Sequence, residues 1–153
     1  MAVLKTVAPL CVVVLGMILG QPAHAQFAKG MREIDVVAND YSFQPLPEKI
    51  EAGPVIFAFA NQGKVEHEMG IGRLKAGVTL DEVVKELKEG AARQDFFARS
   101  VGILEAAPGK SPDGRLLVEL VPGGTYFVFC NLKDKPDAPS HLMLGMYTAF
   151  RVE

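Results

Sequence analysis

Cysteine is almost missing from this sequence: there are two in 153 residues, and the first, Cys11, lies in an apolar run near the start. That leaves Cys130 without a partner in the rest of the chain, which excludes an intramolecular disulfide framework there. Histidine is nearly as scarce, at three: His24, His67 and His141. Charge of one sign is lacking as well. Lys and Arg number 16 against 18 Asp and Glu, a formal net charge of −2, and this mild acidity argues against nucleic acid as a partner. The apolar run Val7 to Gly20 falls short of the ~20 residues that a membrane-spanning helix needs. Internal repeats and low-complexity linkers are absent too, so the chain reads as one ordinary domain with enough bulk to bury a core.

What stands at the start has the form of an export signal. Lys5 is a short basic segment, Val7 to Gly20 is the apolar stretch, and Ala23-His24-Ala25 is a small-x-small cleavage site. Cleavage after Ala25 leaves residues 26–153 as the folded domain, with no stable membrane insertion once residues 1–25 are removed. Cys11 sits within the apolar run, which does not suit a lipoprotein cysteine. The exported chain then holds one thiol and two imidazoles. An unpaired thiol in an oxidising compartment is expected to be buried, reactive or bound to metal.

The pattern along the domain is mostly β. Arg32 to Ala38 alternates polar and apolar, the signature of a strand with one buried face. Tyr41 to Phe43 is a second extended segment, and Pro45 and Pro47 exclude helix after it. Val55 to Ala60 reads as a buried strand, closed by the turn residues Asn61-Gln62-Gly63. The next strand, Val65 to about Ile71, carries His67. Thr79-Leu-Asp-Glu82 is a capping box that starts an amphipathic helix with Leu80, Val83, Val84 and Leu87 on one face. A second short helical stretch is expected from about Arg93 to Ser100. Leu116 to Val121, Thr125 to Cys130 and Tyr147 to Val152 complete the strands, with Pro122-Gly123-Gly124 as a tight turn. Seven to eight short strands with turns between them predict an all-β Greek-key sandwich, with a helical insertion around 79–100.

The chemistry gathers between the last two strands. Cys130 ends one, and His141 and Met146 lead into the other, so a thiol, an imidazole and a thioether stand at the rims of one Pro-rich loop. His67 adds a second imidazole from upstream. Thiolate and thioether are soft ligands and imidazole is borderline, the combination found at blue copper sites.

A Cys closing the strand Gly124-Thr-Tyr-Phe-Val-Phe129, followed by His141-Leu-Met-Leu-Gly145-Met146 and preceded by His67, resembles the cupredoxin family of type 1 copper proteins, such as plastocyanin and azurin. The resemblance covers essentially the whole mature chain. It implies a Greek-key sandwich with one copper ion at one end, cycling between Cu(I) and Cu(II). His67, Cys130 and His141 would then be equatorial ligands and Met146 the axial one. It further implies a non-enzymatic, exported protein of the periplasm that carries single electrons to and from a redox partner protein. Leu142, Met143 and Leu144 beside His141 are candidate docking contacts, with loop packing as the alternative role for them.

Three features depart from the family pattern. Ten residues separate Cys130 from His141, a longer loop than the familiar members share. Glu68 stands where they often have Asn, and period-two alternation sends it to the face opposite His67, as a surface carboxylate. Met143 competes with Met146 for the axial place. Other functions stay open on the sequence. Met69, Met143 and Met146 beside the histidines could hold Cu(I) for storage or for delivery to a copper acceptor protein. Cys130 with His141 could be a nucleophile pair, though no orienting residue or oxyanion feature is readable. A metal-free interaction module is the remaining reading.

Overall fold

Alternation along Val55 to Asn61 shows how the strands are built. Val55, Phe57, Phe59 and Asn61 are buried, while Ile56, Ala58 and Ala60 between them are half-buried, so one face of the strand enters a core and the other does not. A computed structural model describes residues 31–89 and 95–153. The export signal expected over residues 1–25 lies outside the described residues. Among the described residues, no helix is long and apolar enough to cross a membrane.

Among the described residues, nine strands form two sheets. They are β1 (Arg32–Asn39), β2 (Ser42–Phe43), β3 (Lys49–Ile50), β4 (Gly53–Asn61), β5 (His67–Leu74), β6 (Phe97–Ala106), β7 (Leu116–Leu120), β8 (Thr125–Phe129) and β9 (Tyr147–Val152), with helix α1 (Leu80–Lys88) between β5 and β6. One sheet has the order β2-β1-β4-β7 and the other β3-β9-β8-β5-β6. The pairs β1/β4 and β3/β9 are parallel and the remaining pairs antiparallel. This is the expected β-sandwich; β2 and β3 are two-residue pairings that lengthen the strand count.

The core between the sheets takes Val36, Val55, Phe57 and Val118 from one side and Met69, Ile71, Tyr126, Val128 and Phe150 from the other. Alternation in β8 sends Tyr126, Val128 and then Cys130 inward, and Phe127 and Phe129 to the outer face. There α1 covers them through Val83 and Leu87, joined by Leu142 from the last loop. The second sheet is therefore buried on both faces at its centre.

Of the second helical stretch expected from about Arg93 to Ser100, residues 97–100 are strand. Among the described residues of the insertion expected around 79–100, Leu80–Lys88 is α-helix, and Phe97 to Ser100 begin β6, paired antiparallel with Leu74 to Gly72 of β5. The reason is packing on the outer face. Phe97 stacks on Phe129 with ring centroids 5.8 Å apart, over Gly72, where an added Cβ would meet the Phe97 ring at 2.9 Å. Tertiary stacking overrides the weak local preference for helix.

Candidate metal centre

Each of the three expected donors arrives from a different stretch of backbone. His67 opens β5, one step of strand alternation from the core residue Met69. Cys130 follows β8 on the same inward face as Tyr126 and Val128. His141 starts a single 3₁₀ turn, His141–Leu144, which ends at Gly145 with φ +103°, a conformation that favours glycine. Met146 then closes the loop: its N–H donates to His141 O at 2.9 Å and its carbonyl accepts from Cys130 N–H at 3.1 Å. A further bond, His141 N–H to Leu132 O at 2.8 Å, ties the start of the turn to the chain just after Cys130. The long loop from 131 to 140 thus leaves the rims of the site in register.

The three side chains converge. His67 Nδ1 lies 3.1 Å from His141 Nδ1, and Cys130 Sγ lies 3.3 Å from His141 Nδ1 and 3.9 Å from His67 Nδ1. All three residues are 0–1 % exposed. They are a group that could hold a metal ion. Imidazole and thiolate bonds to a small divalent ion run about 2.0–2.3 Å, so two donors on one ion stand no more than roughly 4.0–4.6 Å apart. The three separations satisfy that limit. Met146 is fully buried beside this group, whereas Met143 is 37 % exposed.

Burial sets the electrostatics. Loss of water pushes the Cys130 thiol up to about 11, with the Glu68 N–H, which donates to Sγ at 3.3 Å, pulling the other way. Burial also lowers the basicity of His67, and the neighbouring His141 lowers it further. The His67 imidazole is therefore held towards the neutral form that binds metal. Asp134 Oδ1 lies 3.1 Å from His141 Nε2, and Tyr41 Oη donates to Asp134 Oδ2 at 2.6 Å. That phenol hydrogen bond lowers the Asp134 carboxyl and raises Tyr41 in turn.

Two expectations change here. Glu68 does face away from His67 but is no surface carboxylate: it is 6 % exposed, and its Oε1 accepts the Asn131 N–H at 2.8 Å. The residue after Cys130 needs an acceptor for its N–H, and Glu68 supplies it, so its carboxylate is engaged away from the donor group. Leu142, expected at a docking face, is 4 % exposed and packs in the cluster under α1; Met143 and Leu144 remain at the surface. The sequence reading also missed Asp40, Tyr41, Asn61 and Asp134. Asn61 is buried at the end of β4, where its Nδ2 donates to Val65 O and Ala106 O at 2.8 and 2.9 Å and its Oδ1 accepts Gly63 N–H at 2.8 Å. It holds the turn that delivers His67, and an amide in an apolar strand was the available signal.

Among solved structures, this arrangement of strands is shared with an auracyanin from the photosynthetic bacterium Roseiflexus castenholzii, at a TM-score of 0.52 and 17 % identity over 79 % of this chain and 96 % of that one. It is shared also with auracyanin B, at 0.53 and 19 % over 80 % of this chain and 88 % of that one. The fold is that of the cupredoxins. Auracyanin A of Chloroflexus aurantiacus, described as a "blue" copper protein, has it as well, at 0.51 and 13 % identity over 81 % of this chain and all of that one. No family model and no curated protein matches the sequence. On this cupredoxin scaffold, a thiol, two inward-facing imidazole nitrogens and a buried thioether residue fit one copper ion by the softness of the donors and their spacing.

Proposed function

We propose that this protein is an exported one-electron carrier of the periplasm, with a type 1-like mononuclear copper site held by His67, Cys130 and His141 and, axially, Met146. The observation that carries the reading is the convergence of Sγ and two Nδ1 atoms within 3.1–3.9 Å in a buried pocket of a cupredoxin fold. Copper held by such a set would supply a one-electron couple, since two imidazole nitrogens and one thiolate sulfur suit Cu(II) without excluding Cu(I). The chain's part is to keep the donors fixed. His67 opens β5 paired with Ala106 of β6, the Cys130 N–H donates to Met146 O, and the packed core behind them resists movement.

Burial of all three donors supports carriage of electrons over storage or delivery, because an ion passed to an acceptor protein has to be reached by that acceptor's ligands. It also disfavours a thiol enzyme: a buried thiol pushed up to about 11 is protonated at neutral pH and a poor nucleophile. The redox partner protein would meet the surface near the 3₁₀ turn, where Met143 and Leu144 are exposed.

The test is the visible and EPR spectrum of the purified protein with one equivalent of Cu(II). An intense thiolate-to-copper band with small hyperfine splitting is expected, lost in Cys130→Ser and altered in Met146→Leu but not in Met143→Leu. Weak d–d absorption alone would leave the fold standing and overturn the electron carrier.

A further inference from the structure

Both imidazoles have a carboxylate behind them. Asp134 Oδ1 is 3.1 Å from His141 Nε2, and Asp40 Oδ1 is 3.8 Å from His67 Nε2, a nitrogen that is buried with no hydrogen-bond partner among the described residues. Between the two acids stands Tyr41, next to Asp40 in the β1–β2 turn. Its ring meets His67 and His141 edge-on, with centroids 6.2 and 5.0 Å apart at 88° and 82°, and its hydroxyl holds the second oxygen of Asp134.

The backbone is bent to put it there. Tyr41 has φ +58°, in the left-handed region where glycine or asparagine is the usual occupant. Such strain persists where surrounding contacts over-determine it, and it clusters at functional sites. Asp40 is held from its other side, by Lys64 N–H donating to Oδ1 at 2.6 Å. Gly63 leaves the room: an added Cβ would come within 2.6 Å of Asp40 Oδ1 and 3.0 Å of His67 Nε2.

We infer that Asp134, held by Tyr41, forms an outer clamp that turns His141 Nδ1-inward and makes it a stronger donor, with the Asp40 carboxylate facing His67 Nε2 at 3.8 Å as a second negative charge, so that the clamp favours Cu(II) over Cu(I) and holds the reduction potential of the site down. The inference rests on the copper reading above. A neutral imidazole has one N–H and one lone pair. When His141 donates Nε2–H to Asp134, its Nδ1 is the free lone pair, aimed at Cys130 Sγ and His67 Nδ1. A carboxylate accepting this hydrogen bond also pushes electron density onto the ring, which helps the more highly charged ion most. These three are positioning residues, since they touch the imidazoles and not the ion. The clamp also closes the outer edge of His141, which is 1 % exposed.

The test compares the full protein with Asp134→Asn, which keeps the shape and an acceptor oxygen but removes the charge, and Asp134→Ala, which removes both. Asp134 is one-third exposed in a loop, so both variants should fold. Three readouts are taken: imidazole 15N NMR of the metal-free protein, Cu(II) and Cu(I) affinities, and the midpoint potential. In wild type His141 should be the Nε2–H tautomer, and in Asp134→Ala a mixture. Asp134→Asn should lose roughly 10–100-fold in Cu(II) affinity, with a smaller loss for Cu(I) and hence a higher potential. If the wild type shows the thiolate-to-copper band while both variants keep tautomer, affinity and potential, the clamp is overturned and the copper site stands. Failure of the wild type to take up copper would overturn both.

Discussion

Cys130 is the residue on which most of the chemistry turns, and its pH behaviour is fixed by where it sits. The thiol's ordinary value of 9.0 is raised to about 11 by burial, so the metal-free fold prefers it neutral. A raised acid contributes stability that is fully present below the unfolded value and is lost as pH rises through the folded one. At ~1.4 kcal/mol per unit, wild type should lose roughly 2–3 kcal/mol more than Cys130→Ser between pH 8 and pH 11. Urea unfolding of the two metal-free proteins at both pH values measures this, and equal losses would mean that the thiol is not desolvated. The acid end runs the other way. His67 is lowered by burial and by His141, so its contribution is present above about 6.5, the ordinary histidine value, and fades as pH falls below it.

The site residues differ in how readable they were, for reasons visible one by one. His67, Cys130 and His141 could be named as candidates because scarcity did the selecting: a chain with so few thiols and imidazoles leaves little choice, whereas Met146, one of six methionines, was named from the resemblance to the cupredoxin loop end. Asp40, Tyr41 and Asp134 could not, because Asp and Tyr in turns and loops are ordinary, and their role exists only once loop 131–140 folds back over the β1–β2 turn. Glu68 was placed on the correct face and given the wrong surroundings. Alternation tells which face a residue takes, but not whether another layer covers that face.

Elements show the same division. The Thr79 capping box is present as read: Glu82 N–H donates to Thr79 Oγ1 at 3.3 Å, and Thr79 N–H donates to Glu82 Oε2 at 2.9 Å. All of its information lies within four consecutive residues. Thr79→Ala should cost about 1 kcal/mol of stability without moving the copper spectrum, because α1 packs on the outer face of the sheet. Circular dichroism melts beside the visible spectrum would check this, and a spectral change would show that the helix is coupled to the site. β6 fared differently. From Phe97 onwards its state is decided by β5, which supplies backbone partners and, through Gly70 and Gly72, the space in which Phe129 and Phe97 lie stacked. Local sequence carries neither fact.

At the scale of the molecule, stability comes from closing one sheet on the other. Phe57 of β4 and Phe150 of β9 meet across the core with ring centroids 5.8 Å apart, and Phe150 stacks on Tyr126 at 5.2 Å and 2°. The hydroxyl of Tyr126 accepts the Val121 N–H at 3.1 Å, so the ring's polar end is satisfied where the β7–β8 turn begins. Phe57 is fully buried, and Phe57→Ala should lower unfolding free energy by about 3–5 kcal/mol. A urea midpoint that falls with an unchanged slope, while the copper band keeps its position, is the expected result. Loss of the band in the folded variant would show that core and site are not separable.

By itself the sequence determined the candidate donors, the strand-and-turn pattern, the helix start and the family likeness, because each of these is written in residue identity or in spacing over a few positions. Only the tertiary structure decided that the three donor atoms meet within 3.9 Å, that Phe97 onwards is strand, that Glu68 and Leu142 are covered, and that Asp40, Tyr41 and Asp134 surround the imidazoles. The physical reason is that contact, burial and outer hydrogen bonding are properties of segments brought together from far apart in the chain. His67 and Cys130 are 63 positions apart, and Tyr41 and Asp134 are 93. No periodicity along the chain spans such distances; two packed sheets do.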